Sequence, residues 1–127
     1  MSGRVTISGF VGESRVVSGH MHKYSVRDGQ AADFLVGLKG GISYQVVYLP
    51  AAYHAQHPNY FHTKIATVKQ QTKHQDRLLV VTLTESSPQE TAAISQLQGL
   101  CLTADVNLMV CFEVDEVRQL IDDISRL

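Results

Sequence analysis

Hydrophobic positions along the last two thirds of the chain switch repeatedly between two periods. Ser43–Leu49 (SYQVVYL) is β-branched and aromatic, bounded by Gly40-Gly41 and Pro50, and this pattern predicts a strand. Pro58 then stands where a first helical residue belongs. Phe61, Ile65 and Val68 follow it at i, i+4 and i+7, the stripe of an amphipathic helix. Leu78–Thr84 (LLVVTLT) is a near-continuous apolar run, as expected of a strand buried on both faces. Ser87-Pro88-Gln89-Glu90 reads as a capping box with proline in the first helical position, and the helix it opens carries Ile94, Leu97 and Cys101 as its core stripe. Val106–Phe112 (VNLMVCF) predicts another buried strand, and Val117, Leu120, Ile121 and Ile124 mark a last helix with acids opposite. Strand and helix alternate three times, the order of a parallel sheet with right-handed crossovers.

The first forty residues are less regular. Val5–Ser8 and Tyr24–Val26 are short strand candidates, with Gly9, Gly12, Gly19 and Gly29 punctuating the loops. They are expected to supply an antiparallel hairpin on the sheet edge. The fold class is therefore α/β, a mostly parallel sheet with flanking helices and an N-terminal antiparallel edge hairpin. With 127 residues and neither linker nor low-complexity tract, the chain is expected to be one domain, 1–127.

Composition narrows the classes further. Apolar residues make up 44% and charged residues 18%, too apolar for a disordered tail and too uncharged for a charged coiled coil. No apolar run approaches the ~20 residues of a membrane span, and Met1–Phe10 is too polar for a signal peptide. Cys101 and Cys111 stand in apolar segments without CxxC spacing, which suits reduced core thiols in a cytosolic or nuclear protein. The net charge of −1 conceals an asymmetry: residues 1–77 hold nine Lys/Arg against four acids, whereas residues 78–127 hold two against eight. One basic half suits a polyanion on one side of the molecule.

The densest polar cluster is Tyr53-His54-Ala55-Gln56-His57-Pro58-Asn59-Tyr60-Phe61-His62, expected between a strand end and a helix start, where open α/β sheets bind ligands. His54, His57 and His62 do not share one helical face, and no cysteine or carboxylate stands nearby to complete a zinc site. No metal or cofactor is assigned. Tyrosines and imidazoles near a helix N-terminus instead suit stacking on bases or peptide groups and attraction of anions. On the following helix Tyr60, Lys64, Thr67 and Gln71 line one flank of the apolar stripe and His62, Lys69 and Lys73 the other, with no acid between Asp33 and Asp76. About four cations on such a surface give salt-sensitive contact with nucleic acid. Two-metal nuclease chemistry needs converging carboxylates and a lysine, but SYQVVYL carries no charge and Asp33 stands alone. Neither phosphate loops nor nucleophilic triads are present, so catalysis is not expected, and a residual metal-dependent nuclease built on Asp33 is the alternative from a different class.

Tyr53-His54-x-x-His57-Pro58-x-Tyr60-x-His62, preceded by Asp33-Phe34-x-x-Gly37 and followed by Leu100-Cys101-x-x-Ala104-Asp105, resembles the central domain of the excision-repair cross-complementation group one family, from about Ile7 to the C-terminus. The resemblance implies the small non-catalytic partner of the XPF endonuclease: a nuclease-like α/β fold without the GDx(n)ERKxxxD active site, located in the nucleus and acting in excision repair or recombination. It implies a basic-aromatic groove for single-stranded or junction DNA and for a peptide of the XPA scaffold. Tyr53 and Tyr60 match the two groove tyrosines, and Lys64 a basic position of the DNA-contacting helix. Ser14 falls where the family has a groove asparagine and Phe10 where it has an arginine, and the Arg-x-x-Gly-Asn-Pro loop is absent. The loop Leu38–Gln45 looks a few residues longer, and no helix-hairpin-helix region follows. The expected DNA contacts are thus Lys64, Lys69, Lys73, His57 and His62, and the expected groove residues Tyr53, Tyr60, Ser14 and Phe10. A recombination-specific relative that binds branched DNA without the XPA scaffold is the alternative within the family.

Overall fold

The computed structural model describes residues 4–8, 24–73 and 75–127. Phe10 and Ser14, expected in the groove, lie outside these residues. Among these residues six strands and four α-helices follow in the order β1 (Arg4–Ile7), β2 (Ser25–Val26), β3 (Phe34–Gly37), β4 (Ser43–Tyr48), α1 (Ala51–Gln56), α2 (Tyr60–Gln71), β5 (Arg77–Leu83), α3 (Pro88–Ala104), β6 (Asn107–Cys111) and α4 (Val114–Ser125). The sheet order is β2-β1-β3-β4-β5-β6. β4, β5 and β6 run parallel, as the strand–helix alternation requires. On the other side β1 and β3 pair antiparallel, as do β3 and β4, so this side of the sheet is antiparallel through β3 and not through the expected hairpin of Val5–Ser8 with Tyr24–Val26. Its central member, β3, is only four residues long and follows Asp33 without a turn signal, which hides it in the sequence. The segment at Tyr24–Val26 pairs in parallel with β1.

The sheet separates two cores. On one face Ile7, Phe34, Val36, Val46 and Val81 meet Val117, Ile121 and Ile124 of α4, with Tyr24 edge-on to Phe34 at 6.2 Å. On the other, Val47, Leu49 and Val80 meet Phe61, Ile65 and Val68 of α2 and Leu97 and Cys101 of α3. Leu79 and Val81 point one way and Val80 the other, which is why β5 needs an unbroken apolar run. β6 differs from expectation. It is the last strand of the sheet, with Asn107 and Met109 exposed and only Cys111 fully buried. Ala93 takes the buried place in α3 expected of Ile94, which is half-buried.

Local chemistry sets the helix ends. Ser87 accepts from the Glu90 N–H and donates to its carboxylate at 2.9 Å, while Glu90 accepts from the Glu85 N–H. α3 ends with Asp105 in the left-handed region at φ 59°, and Val106 N–H donates to the Cys101 carbonyl at 3.0 Å. In the β3–β4 turn, Gly40 and Gly41 take φ 77° and 79°, which glycine adopts without strain. Among the described residues no helix is long and apolar enough to cross a membrane.

Candidate nucleic-acid interface

The segment expected as a loop between β4 and the next helix is itself helical. Ala51, Ala52, Ala55 and Gln56 are good helix formers, and Pro50 precedes the first turn and offers its carbonyl to the His54 N–H at 3.0 Å. The helix stops at His57 (φ −131°, ψ 69°) because a residue before proline is driven out of the α region. Pro58 therefore occupies the break between two helices and is not the first residue of α2, which begins at Tyr60 after Asn59. The break bends the chain so that Tyr53 and Tyr60 meet.

Tyr53 and His57, four residues apart, stack with ring centroids 4.2 Å apart and planes 19° from parallel. Tyr60 stands edge-on to Tyr53 at 5.1 Å. Both tyrosines are half-buried against the core under α2 and α3, and His57 is exposed. Burial, with the negative charge of Asp33 and electrostatic repulsion from the Tyr53 hydroxyl as lesser causes, pushes the Tyr60 hydroxyl up to about 12. It stays protonated and able to donate at physiological pH.

Asp33 is the buried member of the site. Its Oδ1 lies 3.1 Å from Lys64 Nζ and its Oδ2 accepts from the Tyr48 N–H at 2.7 Å, so one carboxylate ties the start of β3 to the end of β4 and to α2. Burial raises its pKa above the ordinary carboxylate value, against the opposing pull of Lys64 and the Tyr48 N–H. This corrects the expectation for Lys64, whose side chain is only 14% exposed with its ammonium committed to Asp33. Sequence reasoning treated Asp33 as solitary. The signal for the pair was the absence of any acid between Asp33 and Asp76, since a lysine buried in that stretch has almost no other counter-ion.

The remaining candidates are spread over different surfaces. Lys69 donates to the Ala104 carbonyl at the end of α3, favourable for a cation at a helix C-terminus, and so faces away from the tyrosines. His62 is exposed, edge-on to Phe61, and lines a pocket of about 450 Å³ with His54, Gln96 and Gly99 on the α3 side. His54 is buried, with Nε2 3.0 Å from Gln96 Oε1. Lys73 is exposed beyond the end of α2, where it lines a separate pocket with Arg27 and Gln71. The two expected flanks thus resolve into three places: Lys64 toward Asp33, Lys69 and His62 toward α3, and Lys73 toward Arg27. Among the described residues no three His, Cys, Asp or Glu side chains converge as metal ligands would.

Against this geometry stand three comparisons with known proteins. A family model described as the binding domain of the DNA repair protein Ercc1 (rad10/Swi10) matches residues 14–127. Among solved structures, XPF from Aeropyrum pernix in complex with DNA superimposes with a TM-score of 0.64 at 14% identity, over 97% of this chain and 63% of that one. XPF from Aeropyrum pernix in a second structure gives 0.62 at 12% identity, over 96% of this chain and 63% of that one. The fold is therefore that of the XPF structures, of whose length this chain spans just under two thirds. No curated protein sequence matches it.

Proposed function

From the premise that this chain belongs to the Rad10 family, the binding domain of the DNA repair protein Ercc1, we propose that it is a non-catalytic, DNA-binding scaffold subunit that pairs with an XPF-type endonuclease in nuclear excision repair or recombination. The observation that carries this reading is the aromatic cluster at the break between α1 and α2. An XPF-like fold here holds a stacked Tyr53–His57 pair and an edge-on Tyr60, beside a carboxylate whose oxygens face an ammonium and a backbone N–H. Such a surface offers faces for bases or peptide groups. Among the described residues it does not offer the converging, unpaired carboxylates that two-metal cleavage requires.

In this reading the candidate residues divide between stacking, polar contact and support. Tyr53, Tyr60 and exposed His57 supply stacking, and Lys73 and His62 supply flanking polar contacts, while Lys64 acts through Asp33 by holding α2 against the sheet. A partner peptide of the XPA type would enter the same groove, with Ser14 and Phe10 as its remaining candidate contacts. The test is anisotropy of labelled forked DNA with wild type, Tyr53→Ala and Tyr60→Ala, alongside melting curves and incubation with Mg²⁺ or Mn²⁺. Each alanine variant should lose about tenfold in affinity while keeping a cooperative melt, and the DNA should remain uncut. Unchanged affinity in both variants, or metal-dependent cleavage that disappears in Asp33→Ala, would overturn the reading.

A further inference from the structure

The helices α1–α3 do not cover their face of the sheet completely. Thr6, Leu35 and Gln45 are neighbours across β1, β3 and β4. By strand alternation they lie opposite Phe34, Val36 and Val46, which belong to the α4 core. Beyond the end of α2 a pocket of about 380 Å³ opens, lined by Leu35 and Gln45. That volume lies within the range of small-ligand sites, about 300–1,000 Å³. Leu35 is half-buried and, among the described residues, belongs to neither hydrophobic core, although it stands on an interior strand.

The walls are pre-formed. Gln71 accepts from the Ala31 N–H and donates to the Gly29 carbonyl, both at 2.9 Å, which ties the last turn of α2 to the loop before β3. Asp76 accepts from the Ser43 N–H at 3.2 Å, the Lys73 N–H at 3.0 Å and Gln45 Nε2 at 3.3 Å. A carboxylate only accepts, so Asp76 fixes which end of the Gln45 amide is the NH₂. Gln45 is left with its Oε1 and one amide hydrogen without partners among the described residues. Exposed Arg27 and Lys73 line the rim, balanced by Asp28 and Asp76, so the pocket is formally neutral with cations facing solvent.

We propose that this pocket receives one unpaired nucleobase of a bound single strand, packed on Leu35 and hydrogen-bonded by the Gln45 amide, with the adjoining phosphates held by Arg27 and Lys73. The ligand class follows from the chemistry. A neutral lining admits an uncharged planar group and keeps the anion at the rim. An acceptor beside a donor complements the amino group and neighbouring ring nitrogen of adenine or cytosine. The proposal rests on the DNA-binding reading above and places a second contact on the opposite end of α2 from the tyrosines.

The experiment is anisotropy with labelled single strands of about 15 nucleotides, close to the upper site size of one compact binding domain. The strands are oligo(dA), oligo(dC), oligo(dT) and a strand of abasic sites, each titrated at several salt concentrations. Wild type should bind oligo(dA) and oligo(dC) about tenfold more tightly than the abasic strand, with oligo(dT) between. Gln45→Leu should bring the amino-bearing strands down to the oligo(dT) level, and Leu35→Ala should bring all three toward the abasic strand. Arg27→Ala should keep the base order and reduce the salt slope by about 0.7. Should Gln45→Leu fail to fold, a strand carrying one 8-azidoadenine decides the matter on the wild-type chain by photocrosslinking. An adduct on Phe34–Gln45 supports the pocket, and adducts confined to Tyr53–His62 overturn it. Salt-dependent binding that is equal for normal and abasic strands removes the pocket and leaves the DNA-binding reading intact, whereas failure of every strand to bind removes both.

Discussion

Replacing Lys64 separates a structural role from a DNA-contacting one. Lys64→Met keeps most of the apolar stem and removes the ammonium from a carboxylate that is 1% exposed. Asp33 would retain only the Tyr48 N–H as a strong partner. Breaking a buried ion pair from one side costs about 3–5 kcal/mol, because the surviving charge is left uncompensated. Lys64 itself keeps some contact with water, so the lower end, about 3 kcal/mol, is the appropriate figure. A domain of this size loses about 3–6 °C in melting temperature per kcal/mol, so a fall of about 10–15 °C at pH 7.5 is expected. The sign of the pH dependence follows from Asp33, whose pKa burial already raises in the folded chain. An acid with a raised folded pKa binds its proton more tightly folded than unfolded, so its contribution is most favourable below the unfolded value and is lost as pH rises through the folded one. Without Lys64 that folded pKa moves higher still, and the melting deficit of Lys64→Met should shrink as the pH is lowered from 8 toward 5. The double variant Lys64→Met with Asp33→Leu should recover most of the loss, since an apolar pair of similar volume avoids both desolvation costs. Calorimetry at pH 5, 6.5 and 8 checks all three statements. A melting temperature within 2 °C of wild type for Lys64→Met at every pH, or an equal deficit at every pH, would refute the buried-pair reasoning and return Lys64 to the solvent-facing role.

Smaller perturbations test other parts of the fold. Burial pushes the Cys101 thiol up to about 11 and raises Cys111 as well, with Glu116 adding to the latter, so neither should react with a disulfide reagent at pH 7.5 until denaturant is added; rapid native labelling would contradict the packing. Gly99 lies inside α3, and a Cβ built there meets nothing within 4 Å, so Gly99→Ala should stabilise the chain by about 0.5–1 kcal/mol, read as a small rise in melting temperature. Asp105→Gly should stabilise by up to about 1 kcal/mol in a denaturant titration, because glycine takes the left-handed cap conformation without a Cβ penalty.

The features legible in the sequence share one property: they depend on neighbours a few positions away. The Phe61–Ile65–Val68 stripe, the Ser87–Glu90 cap and the unbroken β5 run report local periodicity and local hydrogen bonding, and each stands where that pattern puts it. The motif from Tyr53 to His62 likewise holds two tyrosines seven positions apart, and their rings meet at 5.1 Å. Even so, α1 went unseen, because six residues are too few to show a helical stripe against a following proline. β3 was hidden by its brevity, and β6 looked like a buried strand because apolar content says nothing about whether a further strand lies alongside. The charges were the least legible. A lysine beside no local acid reads as free, and only the approach of β3 to α2, 31 positions apart in sequence, brings Asp33 to Lys64. Long-range approach also leaves Leu35 half-buried beyond the end of α2, since a strand carries no record of where the neighbouring helix ends. Local propensity is written residue by residue, whereas burial, pairing and net charge at a surface are sums over whatever the folded chain brings into range.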